Sequence, residues 1–203
     1  MARRGRIATV SKLEDRTSED EHSGAMRSVQ SAEVALPESE LRAIWTPVHM
    51  ERLARTYWRF LTRVTLGLIR VIYSDDERSL VLLGRAGLRI ELLRFAAPEY
   101  ELDPEHGLVR WRIERGLLLA RRGRGAHGHL QICVRRLPDM DPARAHVHVE
   151  VEVANFHPAI ASRLGRRVYN ATQARIHVFV THGFLRSLAR LDLAQSKVGS
   201  LAA

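Results

Sequence analysis

His129-Leu-Gln-Ile-Cys-Val-Arg-Arg136 and, one turn later, Ala145-His-Val-His-Val-Glu-Val-Glu-Val-Ala154 alternate apolar and polar side chains with a period of two. A strand points successive side chains to opposite faces, so each segment reads as a strand with one dry face. Pairing Leu130 with Val151, Ile132 with Val149 and Val134 with Val147 collects the apolar side chains on that face. A slip of one residue would bury the charges, and the pattern excludes it. The opposite face then carries His129, Gln131, Cys133 and Arg135 against Glu152, Glu150, His148 and His146, with His129 facing Glu152 as a surface ion pair.

Upstream, the same period recurs. Leu66–Tyr73 alternates, Ser74-Asp-Asp-Glu77 makes a turn, and Leu80–Leu83 returns. Leu88–Phe95 follows. Val109, Trp111 and Ile113 share one face after the turn Asp103-Pro-Glu-His-Gly107, and Arg115-Gly116 leads into Leu117–Ala120 as a tight hairpin. Seven short strands joined by short turns describe an antiparallel meander. Before them, Thr46-Pro47 is a helix start, threonine capping and proline taking the first helical position. Met50, Leu53, Ala54, Tyr57, Leu61 and Val64 then recur every three or four residues, predicting an amphipathic helix of about 17 residues.

After Asn155-Phe-His-Pro158 the period becomes helical again. Leu164, Val168, Ala171, Arg175, Val178, His182, Leu185 and Ala189 form one stripe at four–three spacing. Arg175 and His182 interrupt an otherwise apolar face. A buried guanidinium needs an acid, a carbonyl or a ligand anion, and an imidazole can orient a substrate or move a proton. Arg166, Asn170, Gln173 and His177 share a second face, read as solvent or subunit contact. Residues 1–38 are polar and without a sustained period, with six basic and seven acidic residues, and read as a disordered tail. One domain is expected over 39–203.

The predicted fold class is α+β: an antiparallel meander of about seven strands gripping a long C-terminal helix, with one preceding amphipathic helix. This order, with Trp111-Arg-Ile113, Gly116-Leu-Leu118 and the glycine-rich turn before Leu130, resembles the START-like helix-grip superfamily (SRPBCC; polyketide cyclase and lipid-transfer-like domains) over roughly residues 45–191. The resemblance implies a curved sheet wrapped around the last helix, with an apolar cavity between them. That family places a strand before its first helix, and only Glu33–Leu36 is available for it here. A lipocalin-like closed barrel is the rival architecture, and it accounts less well for the two helices.

Composition narrows the function. The longest uncharged runs, Val153–Ser162 and Ile176–Leu185 among them, are far short of the roughly 18 residues a membrane-spanning helix needs. Ile7–Val10 gives way to the polar Ser11-Lys-Leu-Glu-Asp15, so no export signal and a cytoplasmic location are expected. Cys133 is the only cysteine, which excludes an internal disulfide and a multi-cysteine metal site. The net charge is +9, and every basic side chain but Lys12 and Lys197 is arginine, a surface bias that also attracts anions. Arg110, Arg112, Arg121, Arg122 and Arg124 are the candidates for nucleic-acid or acidic-partner binding. Twelve aromatic residues and no reading motif weigh against that role.

Gly123-Arg-Gly-Ala-His-Gly128 spells a dinucleotide fingerprint but opens a strand, so no helix terminus awaits a pyrophosphate. His146-x-His148-x-Glu150-x-Glu152 has metal-like alternation, but the expected register sets Arg135 beside it; it reads as a solvent face, and no metal or cofactor is assigned. No GxSxG, HExxH or SxxK motif occurs, Cys133 opposite His148 lacks a pocket, and no catalytic residue is assigned. The expected function is therefore binding of a small hydrophobic or amphipathic molecule between sheet and last helix. Trp111, Ile113, Leu118, Ile132, Val149, Val178 and Leu185 would form the wall, with Arg175 and His182 as polar groups. A cyclase, dehydratase or hydrolase on the same fold is the enzymatic alternative, and the meander's free edge leaves room for a homodimer.

Overall fold

The computed structural model describes residues 7–74, 77–84, 88–120, 127–157 and 180–190. Two strands come first, β1 (Thr9–Glu19) and β2 (Met26–Pro37), then two helices, α1 (Glu38–Ile44) and α2 (Pro47–Val64). Seven strands follow: β3 (Ile69–Tyr73), β4 (Glu77–Leu83), β5 (Arg89–Ala96), β6 (Glu99–Leu102), β7 (His106–Arg115), β8 (His129–Leu137) and β9 (Arg144–Phe156). Residues 180–187 are helical, and Leu188–Arg190 continue them as one 3-10 turn. The class is α+β, with a mostly antiparallel sheet covered on one face by helices.

The strands lie in the order β1-β2-β9-β8-β7-β5-β4-β3, with β6 paired to β7 outside that path. The expected disordered tail is thus corrected: residues 9–37 form a hairpin that pairs with the last strand. β2 places Ala32, Val34 and Leu36 on the inner face beside Val149 and Val147. Their burial offsets the entropy of ordering the segment. β1 is a mostly exposed edge, with Val10 and Leu13 packed against the core, so its sequence carries no sustained period.

α2 begins where the sequence places it. The Thr46 hydroxyl accepts from the His49 amide, and Pro47 opens the helix. It ends in a turn, with Leu66 and Gly67 at positive φ and the Gly67 amide donating to the Thr62 carbonyl at 2.8 Å. The strand expected from Leu66 therefore starts only at Ile69. Leu117–Ala120 is likewise no full strand, because Gly116 turns the chain and only Leu119 forms a bridge.

The β8–β9 register differs from the expected one by two residues. Leu130 faces Val153, Ile132 faces Val151 and Val134 faces Val149. An even shift keeps every side chain on its predicted face, so alternation could not distinguish the two registers. Side chains on the outer face distinguish them. Arg27 Nε donates to Glu152 Oε1 at 2.6 Å, Gln131 Nε2 to Glu152 Oε2 at 2.5 Å, and Arg110 Nε to Gln131 Oε1 at 2.9 Å. This chain of bonds ties β2, β9, β8 and β7 together, and Glu152 pairs with Arg27 rather than His129.

The core lies between the inner face and α2. Trp58 meets Trp111 edge-on at 5.2 Å, and Tyr57 meets Phe184 at 5.5 Å, which seats the 180–187 helix on α2. Val180, Phe184 and Leu185 are fully buried there.

Candidate functional site

Between β2, β8 and β9 on one side and α1 and α2 on the other lies an apolar cavity of about 70 Å³. Val34, Leu36, Val134, Val147 and Val149 form its sheet wall. Leu41, Ile44, Met50 and Leu53 form its helix wall, and Leu188 contributes from the end of the last described helix. Only Trp45 and His49 bring polar side-chain atoms to it. α1 is short, and Ile44 and Trp45 at its end reach the wall just before Thr46 caps α2.

The rim is held by bonds to distant parts of the chain. Trp45 Nε1 donates to the Asp103 carbonyl at 2.7 Å. Arg136 on β8 bonds both oxygens of Glu38 and lies 6.0 Å from the Trp45 ring. Arg42 adds a third bond to Glu38, and these guanidiniums hold the Glu38 carboxyl below the usual carboxylate range. Arg52 Nη1 lies 3.1 Å from His49 Nε2. A guanidinium cannot accept, so Nε2 accepts and the ring proton sits on Nδ1, which donates to Thr46 Oγ1 at 2.8 Å. Burial lowers the His49 pKa, and the charge of Arg52 lowers it further. The imidazole at the rim is therefore neutral at pH 7.

A polar cluster lies on the neighbouring stripe of α2, at Glu51, Arg55 and Trp58. Glu51 is only 5% exposed, and its Oε2 has no hydrogen-bond partner. Arg55 Nε and Nη1 and Trp58 Nε1 are buried without acceptors. The guanidiniums of Arg55 and Arg78 lie 5.4 and 5.1 Å from the Tyr73 ring centre. Arg78 is itself occupied by the carbonyls of Ser74 and Glu77. Burial raises the Tyr73 phenol, with the two guanidiniums opposing the rise. Burial, reinforced by the charge of Glu51, pushes Tyr100 up to about 12. Both phenols stay protonated.

The residues expected at the site divide. Trp111, Ile113, Ile132, Val149 and Leu185 are buried on the core side, and Leu118 is partly buried against them. Of these, Val149 lines the cavity; Leu188 lines it from the last helix where the sequence pointed to Leu185. Arg175 and Val178 lie outside the described residues. His182 is half-buried, with Nε2 3.5 Å from the Glu14 carbonyl on β1, so it faces the edge strand. The buried stripe runs through Val180, Thr181, Phe184 and Leu188 instead. Glu51, Arg55 and His49 were missed because they fall inside an amphipathic pattern that reads as a plain helix. The available signal was Glu51, an acid beside the apolar stripe.

Other candidates are internally engaged. Arg110 bonds Gln131, and Arg112 pairs with Glu99 at 2.9 Å. Arg121, Arg122 and Arg124, with most of the glycine loop, lie outside the described residues. His146 Nε2 lies 3.4 Å from Asp139, and His148 Nε2 3.8 Å from Glu150. Cys133 faces Glu150, not His148, and its sulfur is 3.2 Å from His106 Nε2. Among the described residues no helix is long and apolar enough to cross a membrane.

No protein-family model matches the chain, and no curated protein matches it. Solved structures do. Human STARD10 is 10% identical over 87% of this chain and 73% of that one, with a TM-score of 0.35. A STAR-related lipid transfer protein from Xanthomonas axonopodis is 14% identical over 87% and 98%, at 0.33. Norcoclaurine synthase from Thalictrum flavum is 10% identical over 78% and 87%, at 0.31.

Proposed function

We propose that the chain binds a small hydrophobic or amphipathic molecule, with the molecule's apolar end in the cavity under α1. The observation that carries this reading is the cavity itself. It is walled by aliphatic side chains from three strands and two helices, and its rim holds an indole and a neutral imidazole fixed by hydrogen bonds. Protein interiors are close-packed, so apolar space of this kind is a natural place for an apolar group. Leu188, in the 3-10 turn that ends the last described helix, adds a further aliphatic side chain to the wall.

The test is displacement of a fluorescent acyl probe, 11-(dansylamino)undecanoic acid, by octanoic acid. Wild type is expected to bind the probe with a blue-shifted emission and to release it to octanoate. Val149→Phe fills the cavity from the sheet, and Leu188→Phe fills it from the helix. Each is expected to weaken probe binding at least tenfold while keeping a cooperative unfolding transition. Equal binding to wild type and both folded variants would remove the cavity as the site.

A further inference from the structure

The polar stripe of α2 is what the fold leaves unexplained. A buried carboxyl whose Oε2 meets no donor and a half-buried guanidinium whose Nε and Nη1 meet no acceptor sit one helical turn apart. Neither is paired with the other: no ion pair joins Glu51 to Arg55. Leaving such groups unmet in a dry interior is costly, and apolar residues would serve the fold better. The cluster also carries unbalanced formal charge, two guanidiniums against one carboxyl, beneath phenols that remain neutral.

The cluster and the cavity are neighbours. Met50, which lines the cavity, precedes Glu51. A methyl group on Gly107 would meet the Met50 sulfur at 3.0 Å and Leu102 Cδ1 at 3.2 Å, so Met50 packs with Leu102 over Gly107. Tyr100, two residues before Leu102 on the same face of β6, stands on the polar side and senses the charge of Glu51. Methionine is among the most adaptable of apolar side chains, so the packing of Met50 at the cavity can yield.

From these placements we infer that the Glu51–Arg55 cluster is the head-group subsite of the same ligand site, and that the ligand is a monoanionic carboxylate bearing a hydroxyl near it. This rests on the cavity reading above. The carboxylate accepts from Arg55 and balances the formal charge of the cluster. The hydroxyl donates to Glu51, an interaction that a plain fatty acid cannot make. A buried acceptor built to receive a hydroxyl discriminates strongly against the analogue lacking it.

Calorimetric titration of the full chain with octanoic and 3-hydroxyoctanoic acids tests this. Wild type is expected to prefer the hydroxy acid at least tenfold. Glu51→Leu should reduce that preference, read as the ratio of the two affinities, to less than about twofold. Arg55→Gln should weaken both acids at least tenfold, with Tm reported for each variant. Wild type binding the two acids equally, with Val149→Phe blocking both, would overturn this inference and leave the cavity reading standing. A preference that survives in Glu51→Leu would also overturn it. If wild type bound neither acid, both readings would fall.

Discussion

Arg136 Nη2 donates to both carboxylate oxygens of Glu38, at 2.9 and 2.7 Å, across 98 positions of sequence. The bond fastens the start of α1 to β8 and so sets the height of the cavity roof. Its pH dependence has a definite sign. The Glu38 pKa is lowered in the fold, first by the bonds from Arg136 and Arg42. Such a group stabilises fully above the ordinary glutamate value of 4.5, and the contribution drains away as pH falls through the folded value. Thermal unfolding of wild type and Glu38→Gln should show wild type the more stable at neutral pH. The gap should narrow progressively towards about pH 3.

His49 titrates in a different window. Its folded pKa is depressed by burial and by Arg52, so the unfolded chain binds a proton that the folded chain refuses. Stability is full above the ordinary value of 6.5 and falls as pH drops below it. A histidine-resolved NMR titration should show His49 titrating below a free histidine. His49→Gln should remove part of the Tm loss between about pH 7 and pH 5. A His49 resonance titrating at or above the free value would contradict the assigned bonds.

Two glycines with positive φ should respond unequally to alanine. At Gly116, with φ of 146°, a methyl group would overlap the Leu92 carbonyl and lie 2.6 Å from Leu93 Cα. At Gly67, with φ of 81°, the nearest atom is the mobile end of Arg70 at 3.9 Å. Urea denaturation should give Gly116→Ala a loss of at least about 3 kcal/mol, strain and overlap together. Gly67→Ala should lose about 1 kcal/mol from backbone strain alone.

Cys133 should be a poor nucleophile. It is buried, and burial pushes its thiol up, with Arg135 only partly opposing the rise. Ellman's reagent at pH 8 should react with the native protein at least a hundredfold more slowly than with urea-unfolded chain. Comparable rates would mean that the sulfur is reached by solvent.

Much of this architecture was legible from local patterns. Thr46-Pro47 marks the start of α2 because capping and proline preference act within a few residues. The inner faces of β7, β8 and β9 are readable because burial imposes a period of two. What escaped depends on distant partners. β2 is strand-like only beside β9, and its Ala32, Val34 and Leu36 are too few and too small to stand out from polar neighbours. The two-residue offset of β8 against β9 turns on Arg27, which sits in the segment read as a tail. His182 lies on the predicted stripe, but β1 covers that side of the helix, and nothing local announces β1. Glu51 and Arg55 were hidden for the opposite reason: on a helical wheel they resemble solvated charges, and only the sheet packed over them makes them buried.

The place of β2 beside β9 also shapes how the protein comes into being. During translation the first hairpin leaves the ribosome with its inner edge unpaired, and the strand that receives it is made only after α1, α2 and β3–β8. Ala8 then meets the Ala189 carbonyl at 3.1 Å, closing the loop of chain between them. Stalled or C-terminally shortened products would carry an open β edge without its mate, and such edges template aggregation. Closure of the sheet is therefore gated by the arrival of β9.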